Sequence, residues 1–135
     1  MKKTLYDYEE AIKKLPLKDK YTKEELLTDD FLVDKEGNIE IYYAPHNEYI
    51  NPKAKVFIIG ITPGFNQMST AIATARKELE IGDNIKEIQY KCKVVGRFSG
   101  ILRKNIISML NEIELNKALK INDCGDLFEE KDYLL

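Results

Sequence analysis

The chain has 135 residues, a formal net charge of -2, 44% hydrophobic and 33% charged residues, which is the size and composition of one water-soluble globular domain or less. It contains no run of about 18 apolar residues that would span a membrane, and Met1-Lys2-Lys3-Thr4 lacks the apolar core of a signal peptide. Cys92 and Cys124 stand alone, without CxxC spacing, and His46 is the one histidine. Two thiols and one imidazole do not make a four-ligand zinc or iron–sulfur set, so no metal or cofactor is expected, and reduced thiols point to the cytoplasm. The charge is uneven: residues 83–120 hold eight Lys/Arg against four Asp/Glu, a local +4, and the rest sums to -6. That asymmetry suits either a phosphate-facing patch or a solvated helix face.

In chain order, Thr4 caps a predicted short helix in which Leu5, Tyr8, Ile12 and Leu15 share a face and Pro16 ends it. "TKEE" at 22–25 is a capping box in which Thr22 and Glu25 satisfy each other's backbone donors, opening a brief helix through Leu26 and Leu27. "FLVDKEGNIEIYYAP" predicts a hairpin, with Ile39, Ile41 and Tyr43 alternating with Glu40 and Tyr42, and "DKEGN" as its turn. Alternation gives such an edge ribbon one wet face. "KVFIIGI" does not alternate, so Val56–Ile61 is predicted as a central strand buried on both faces.

Thr62-Pro63-Gly64 breaks that strand sharply, and a helix is expected from about Asn66, its N-cap, with Met68, Ile72, Ala75 and Leu79 in one stripe and Gly82 as terminator. A more basic helix follows through Ile85, Ile88 and Cys92, carrying Lys86, Lys91 and Lys93. After "GRFSG", Leu102, Ile106, Met109 and Ile113 mark an amphipathic helix, then a looser segment with Leu119, Ile121 and Leu127, and a strand stub at Tyr133–Leu135. A strand apolar on both faces requires helices above and below it and parallel neighbours beside it. One such strand cannot build that core alone, so the chain is expected to be the front part of a larger α/β domain. The rival is a small α+β domain closed by its helices.

The corner outside the carboxyl end of a strand is where open α/β sheets bind ligands. Here Gly60, Ile61, Pro63 and Gly64 allow close backbone approach, and free helix amides favour anionic or carbonyl oxygen. The spacing fits neither GxGxxG nor GxxxxGK[ST]. "GITPG" resembles the first active-site motif of the uracil-DNA glycosylase superfamily, and Phe98, Ser99 and a helix carrying Asn105 follow in the superfamily's order. The resemblance covers roughly residues 39–135. It implies a three-layer α/β/α fold with a central parallel sheet, incomplete in this chain. The chain would be a single domain over 1–135, with a helical lead-in and edge hairpin over 1–50 and an α/β core over 55–135.

The resemblance further implies a DNA-repair N-glycosylase, a hydrolase acting on uracil or another damaged base in DNA. Such an enzyme flips the base from the stack and stabilises charge as the N-glycosidic bond breaks. Thr62 takes the catalytic position, and Gly60, Ile61, Pro63, Gly64 and Phe65 surround it as substrate-binding residues. Phe98 is then a stacking platform in the same cleft as Thr62, or a core aromatic. Ser99 is a phosphate contact, or an ordinary N-cap. Phe65 is a second pocket wall, or packing. Lys91, Lys93, Arg97, Arg103 and Lys104 are the candidate nucleic-acid-binding residues. Thr62 can orient water, but it lacks the carboxylate that offsets oxocarbenium charge. The superfamily's second-half residues for base recognition and DNA intercalation have no counterpart, so the chain by itself is expected to excise little or no uracil. The other readings are a non-catalytic nucleotide- or nucleic-acid-binding module and an interaction protein that is a homodimer or pairs with a complementing chain.

Overall fold

A computed structural model of the chain describes residues 3–129. Helix α1 (Leu5–Lys14) begins where the Asp7 carboxylate accepts from the Thr4 amide at 2.7 Å and its hydroxyl at 3.2 Å. It buries Leu5, Tyr8 and Ile12, the expected face. Helix α2 (Lys23–Leu26) starts on the anticipated capping box, with the Thr22 amide donating to Glu25 Oε2 at 2.9 Å. Strands β1 (Leu32–Glu36) and β2 (Ile39–Tyr42) form the hairpin, closed by Gly37 at φ +58°, which glycine adopts without Cβ strain. They pair antiparallel, Leu32 opposite Tyr42 and Glu36 opposite Ile39. Ile39 and Ile41, placed by their alternation on a covered face, are exposed instead, and only Tyr43 beyond the strand is buried.

Helix α3 (Phe65–Ile81) has Gly64 rather than Asn66 at its N-cap, two residues earlier than expected. Gln67 explains the shift. Its Oε1 accepts from the Gly64 amide at 2.8 Å, and its Nε2 donates to the Gly96 carbonyl at 2.7 Å. Gly82, at φ +89°, ends α3 as anticipated. Asn84 then caps helix α4 (Ile85–Val95), accepting from the Glu87 amide at 3.1 Å. Helices α5 (Gly100–Glu112), α6 (Leu115–Leu119) and α7 (Asp126–Glu129) complete the described elements.

The chain is thus a mixed α and β protein. Its one sheet among the described residues is the two-stranded antiparallel hairpin. The expected central parallel sheet requires a correction at Val56–Ile61. That segment pairs with no strand among the described residues, and Phe57, Ile59 and Ile61 are 81, 83 and 102% exposed. An apolar strand is buried only where neighbouring strands and helices cover it, and none of the described segments pairs with this one. The strand stub proposed at Tyr133–Leu135 lies outside the described residues.

Packing divides the chain into two units. The larger takes the residues up to Tyr49 together with Thr62–Arg97. Its core joins Leu5, Tyr8 and Ile12 of α1 to Ala71, Ile72 and Ala75 of α3 and Ile88 and Cys92 of α4, all fully or almost fully buried. The lead-in is fastened to α3 by polar contacts as well. Ser69 Oγ accepts from the Tyr21 amide at 2.7 Å and donates to the Tyr21 carbonyl at 3.0 Å, and Arg76 Nε donates to the Leu15 carbonyl at 2.8 Å. The smaller unit takes Ile50–Ile61 and the residues from Phe98 onward. Its core is Cys124, Leu127 and Phe128, packed by Val56, Phe98, Ile106, Ile107 and Leu110 among others. The α5 stripe expected at Leu102, Ile106, Met109 and Ile113 is corrected accordingly. Ile106 faces the core with Ile107 and Leu110, and Leu102, Met109 and Ile113 are exposed.

Gly96 supplies a sharp test of packing in the larger unit. A Cβ there would lie 2.7 Å from Cβ and Cγ of His46 and 3.0 Å from the Cys92 carbonyl oxygen. Its φ of -80° suits any residue, so the whole cost of a side chain is steric. Gly96→Ala should destabilise the fold by about 1–3 kcal/mol, as overpacking does, seen as a thermal midpoint lower by several degrees. An unchanged midpoint would contradict this packing.

Candidate functional site

The residues singled out as a ligand corner fall in both units. Thr62, Pro63, Gly64 and Phe65 belong to the larger, Gly60, Ile61, Phe98 and Ser99 to the smaller. In the larger unit the corner is the open head of a 17-residue helix. Thr62, Pro63, Gly64 and Asn66 are exposed. Gln67 takes the Gly64 amide, the Gln67 and Met68 amides bond to the Gly64 carbonyl, and the amides of Phe65 and Asn66 have no acceptor among the described residues. Two unsatisfied N–H groups at the positive end of a helix dipole, in reach of water, can bind a carbonyl or phosphate oxygen. The Phe65 ring packs partly against the core, with the Lys23 ammonium 6.0 Å from its centroid.

In the smaller unit Gly60 and Ile61 are exposed. Phe98 is half-buried against the Cys124, Leu127 and Phe128 cluster, and its carbonyl accepts from Arg103 Nε at 2.6 Å. Ser99 is the N-cap residue of α5, without a side-chain capping bond. Asn105 is exposed on that helix.

The basic residues are unequal. Lys91 donates to Glu78 at 2.7 Å and Asp83 at 2.5 Å, and these bonds raise its pKa, Asp83 foremost. Its charge is therefore balanced within the fold. Lys93 is half-buried, and burial lowers its pKa. Arg97 Nε donates to the Val94 carbonyl at 3.0 Å. The Arg103 guanidinium lies 5.3 Å from the Phe128 ring centroid and 3.7 Å from Glu129. Lys104 is exposed on α5.

No family's sequence pattern matches the chain, and no solved structure matches it. Over 131 residues the chain is 40% identical to the uncharacterized protein YoxB of Bacillus subtilis (strain 168), a match taking in 97% of this chain and 50% of that protein. The chain thus spans about half the length of that relative. No helix among the described residues is long and apolar enough to cross a membrane. No three His, Cys, Asp or Glu side chains among them cluster as metal ligands would.

Sequence reasoning passed over a partly buried polar cluster in the larger unit. The Tyr43 hydroxyl donates to Glu48 Oε1 at 2.6 Å, and Gln89 Nε2 donates to Glu48 Oε2 at 2.5 Å. The Tyr8 ring stacks on Tyr43, centroids 3.9 Å apart. Burial and then the Glu48 bond push the Tyr43 phenol far above its ordinary range, so it stays a neutral donor. Burial pushes the Cys92 thiol up to about 12, and its Sγ donates to the Ala71 carbonyl at 3.3 Å. A thiol held protonated is no nucleophile. A groove of about 430 Å³ is lined by Thr74, Tyr90, Val94, the Lys91–Glu78 pair and the exposed Glu87, whereas the α3 head offers open backbone amides.

His46 was weighed only as a metal ligand, yet it is only 4% exposed, with neither ring nitrogen bonded among the described residues. Its signal in the sequence was faint, a lone imidazole amid "YYAPHNEY". Burial, then the Lys93 charge, lowers its pKa from 6.5 to about 4. In the unfolded chain the ring takes up a proton near its ordinary pKa, so between pH 6.5 and 4 the unfolded state binds more protons. Stability should therefore fall as pH drops through that window, by as much as about 3 kcal/mol. Asp19, Glu25 and Glu40, lowered by ion-pair hydrogen bonds to Lys77, Lys18 and Lys35, lose stability only below their unfolded values of 3.8 to 4.5. Urea unfolding between pH 6.5 and 4.5 isolates His46. The slope should vanish in His46→Leu, and an equal slope in that variant would assign it elsewhere.

Proposed function

We propose that the chain is a nucleic-acid-binding element of the uracil-DNA glycosylase type, holding a base carbonyl or phosphate oxygen at the head of α3. The observation that carries this reading is the pair of open amides at Phe65 and Asn66 beside the exposed Thr62-Pro63-Gly64 turn. The "GITPG" sequence and the order of Phe98, Ser99 and Asn105 support it by resemblance. The finer fold that the resemblance implies, a central parallel sheet between helical layers, is part of the same proposal. It requires strands beside Val56–Ile61 from another polypeptide segment.

Catalysis is the weaker part. Thr62 brings no carboxylate, and neither cysteine supplies an anion, since burial raises both thiols. We therefore assign the 135-residue chain binding without uracil excision. Among the candidate basic residues Lys104 is exposed on α5, and Lys91 is committed to Glu78 and Asp83.

Fluorescence anisotropy with a single-stranded oligonucleotide tests the reading. Binding should weaken with salt, as phosphate contacts require. Extending the Gly64 side, by Gly64→Val, should weaken it without unfolding the protein, because a Cβ there meets only Gln67 Oε1 at 3.6 Å. Parallel assays on uracil-containing DNA should yield no abasic sites. Robust excision abolished by Thr62→Ala would overturn the non-catalytic assignment, and salt-insensitive or absent binding would overturn the reading.

A further inference from the structure

A line of contacts inside the larger unit joins the buried His46 to the head of α3. The imidazole packs so closely on Gly96 that a Cβ there would lie 2.7 Å from its Cβ and Cγ. Gly96 ends α4, and its carbonyl accepts from Gln67 Nε2 at 2.7 Å. Gln67 Oε1 in turn accepts from the Gly64 amide at 2.8 Å, the bond that caps α3.

The line begins at a group that cannot take a proton in place. Neither ring nitrogen of His46 is bonded among the described residues. A proton added to the neutral ring creates a second N–H donor and a charge, and burial penalises both when they lack partners. The surrounding elements give no relief. The turn Pro45–Asn47 that carries His46 packs on α3 and α4. From α4 the Lys93 charge opposes a second cation, and Arg97 lies one turn beyond Lys93. From α3, residues 65–75 bring no ionisable side chain. Cys92 stays a neutral thiol, and Tyr43 and Gln89 both donate to Glu48.

We propose that His46 is an acid-sensitive latch on the head of α3, acting through Gly96 and Gln67. Uncharged, the ring fills the space beside Gly96 and fixes that residue where its carbonyl meets Gln67. Charged, the ring swings out to water, Gly96 shifts into the space it leaves, and the Gln67 bridge breaks. The Gly64 amide then loses its acceptor. The head frays, and the buried Ala71, Ile72 and Ala75 hold the rest of the helix, so the opening is local. The inference is independent of what the α3 head binds.

Amide hydrogen exchange on the folded protein between about pH 6.5 and 4.5 tests it, each rate being divided by the intrinsic rate at that pH. In the open state the ring has its ordinary pKa of 6.5, and in the closed state about 4. Opening therefore becomes about tenfold easier for each pH unit lost in that window. Protection of the Gly64 amide should fall by that factor, and should stay well below that of Ala75, which opens only with the whole unit. In His46→Leu the protection of Gly64 should not change with pH. The ring resonance of the one histidine gives a second reading without any substitution, and its midpoint should lie at about 4. A pH-independent Gly64 in the unaltered protein overturns the latch. So does an equal slope in His46→Leu, equal protection at Gly64 and Ala75, or a ring midpoint near 6.5.

Discussion

Helix α3 is the constraint on which the larger unit depends. Its Ala71, Ile72 and Ala75 are fully buried, and small alanines at that face allow close packing of the helices against it. Its polar side chains do the fastening. Ser69 grips both backbone groups of Tyr21, and Arg76 holds the carbonyl that ends α1. Gln67 ties the first turn to Gly96, whose missing side chain leaves space for His46. The same side chain caps α3, so the open head of the helix and the packing of the core have one origin.

That origin bears on chemistry. Several polar groups of the larger unit are committed to one another: Tyr43 and Gln89 to Glu48, Cys92 to the Ala71 carbonyl, Lys91 to Glu78 and Asp83. Burial holds the Tyr43 phenol and the Cys92 thiol protonated, and the bonds to Asp83 and Glu78 hold Lys91 charged. At the head of α3 the fold leaves open two backbone amides and the exposed Thr62 hydroxyl, and the proposed oxygen binding rests on that set.

Local signals in the sequence were legible wherever one side chain decides them. Thr4 before α1, Thr22 with Glu25, Gly37 in the hairpin turn and Gly82 after α3 all act as their chemistry dictates. The start of α3 was misplaced because Gln67, a side chain inside the helix, makes the cap that Asn66 was expected to make. Val56–Ile61 reads as a core strand because an apolar run has the same pattern whether or not a neighbour exists to pair with it. Helix α5 misled in a different way. Ile101, Leu102, Ile106, Ile107, Met109, Leu110 and Ile113 surround much of its circumference, so periodicity could not choose which stripe is covered. The His46 environment was invisible for a related reason, since burial of a single imidazole is set by residues remote in sequence such as Gly96.

The amide spectrum of isotopically labelled protein, titrated with a short single-stranded oligonucleotide, addresses the central claim most directly. Binding at the head of α3 moves the amide resonances of Phe65 and Asn66 first and most, with smaller shifts at Gly64 and Thr62. Shifts confined to α5 around Lys104, or none at any accessible concentration, would contradict the account.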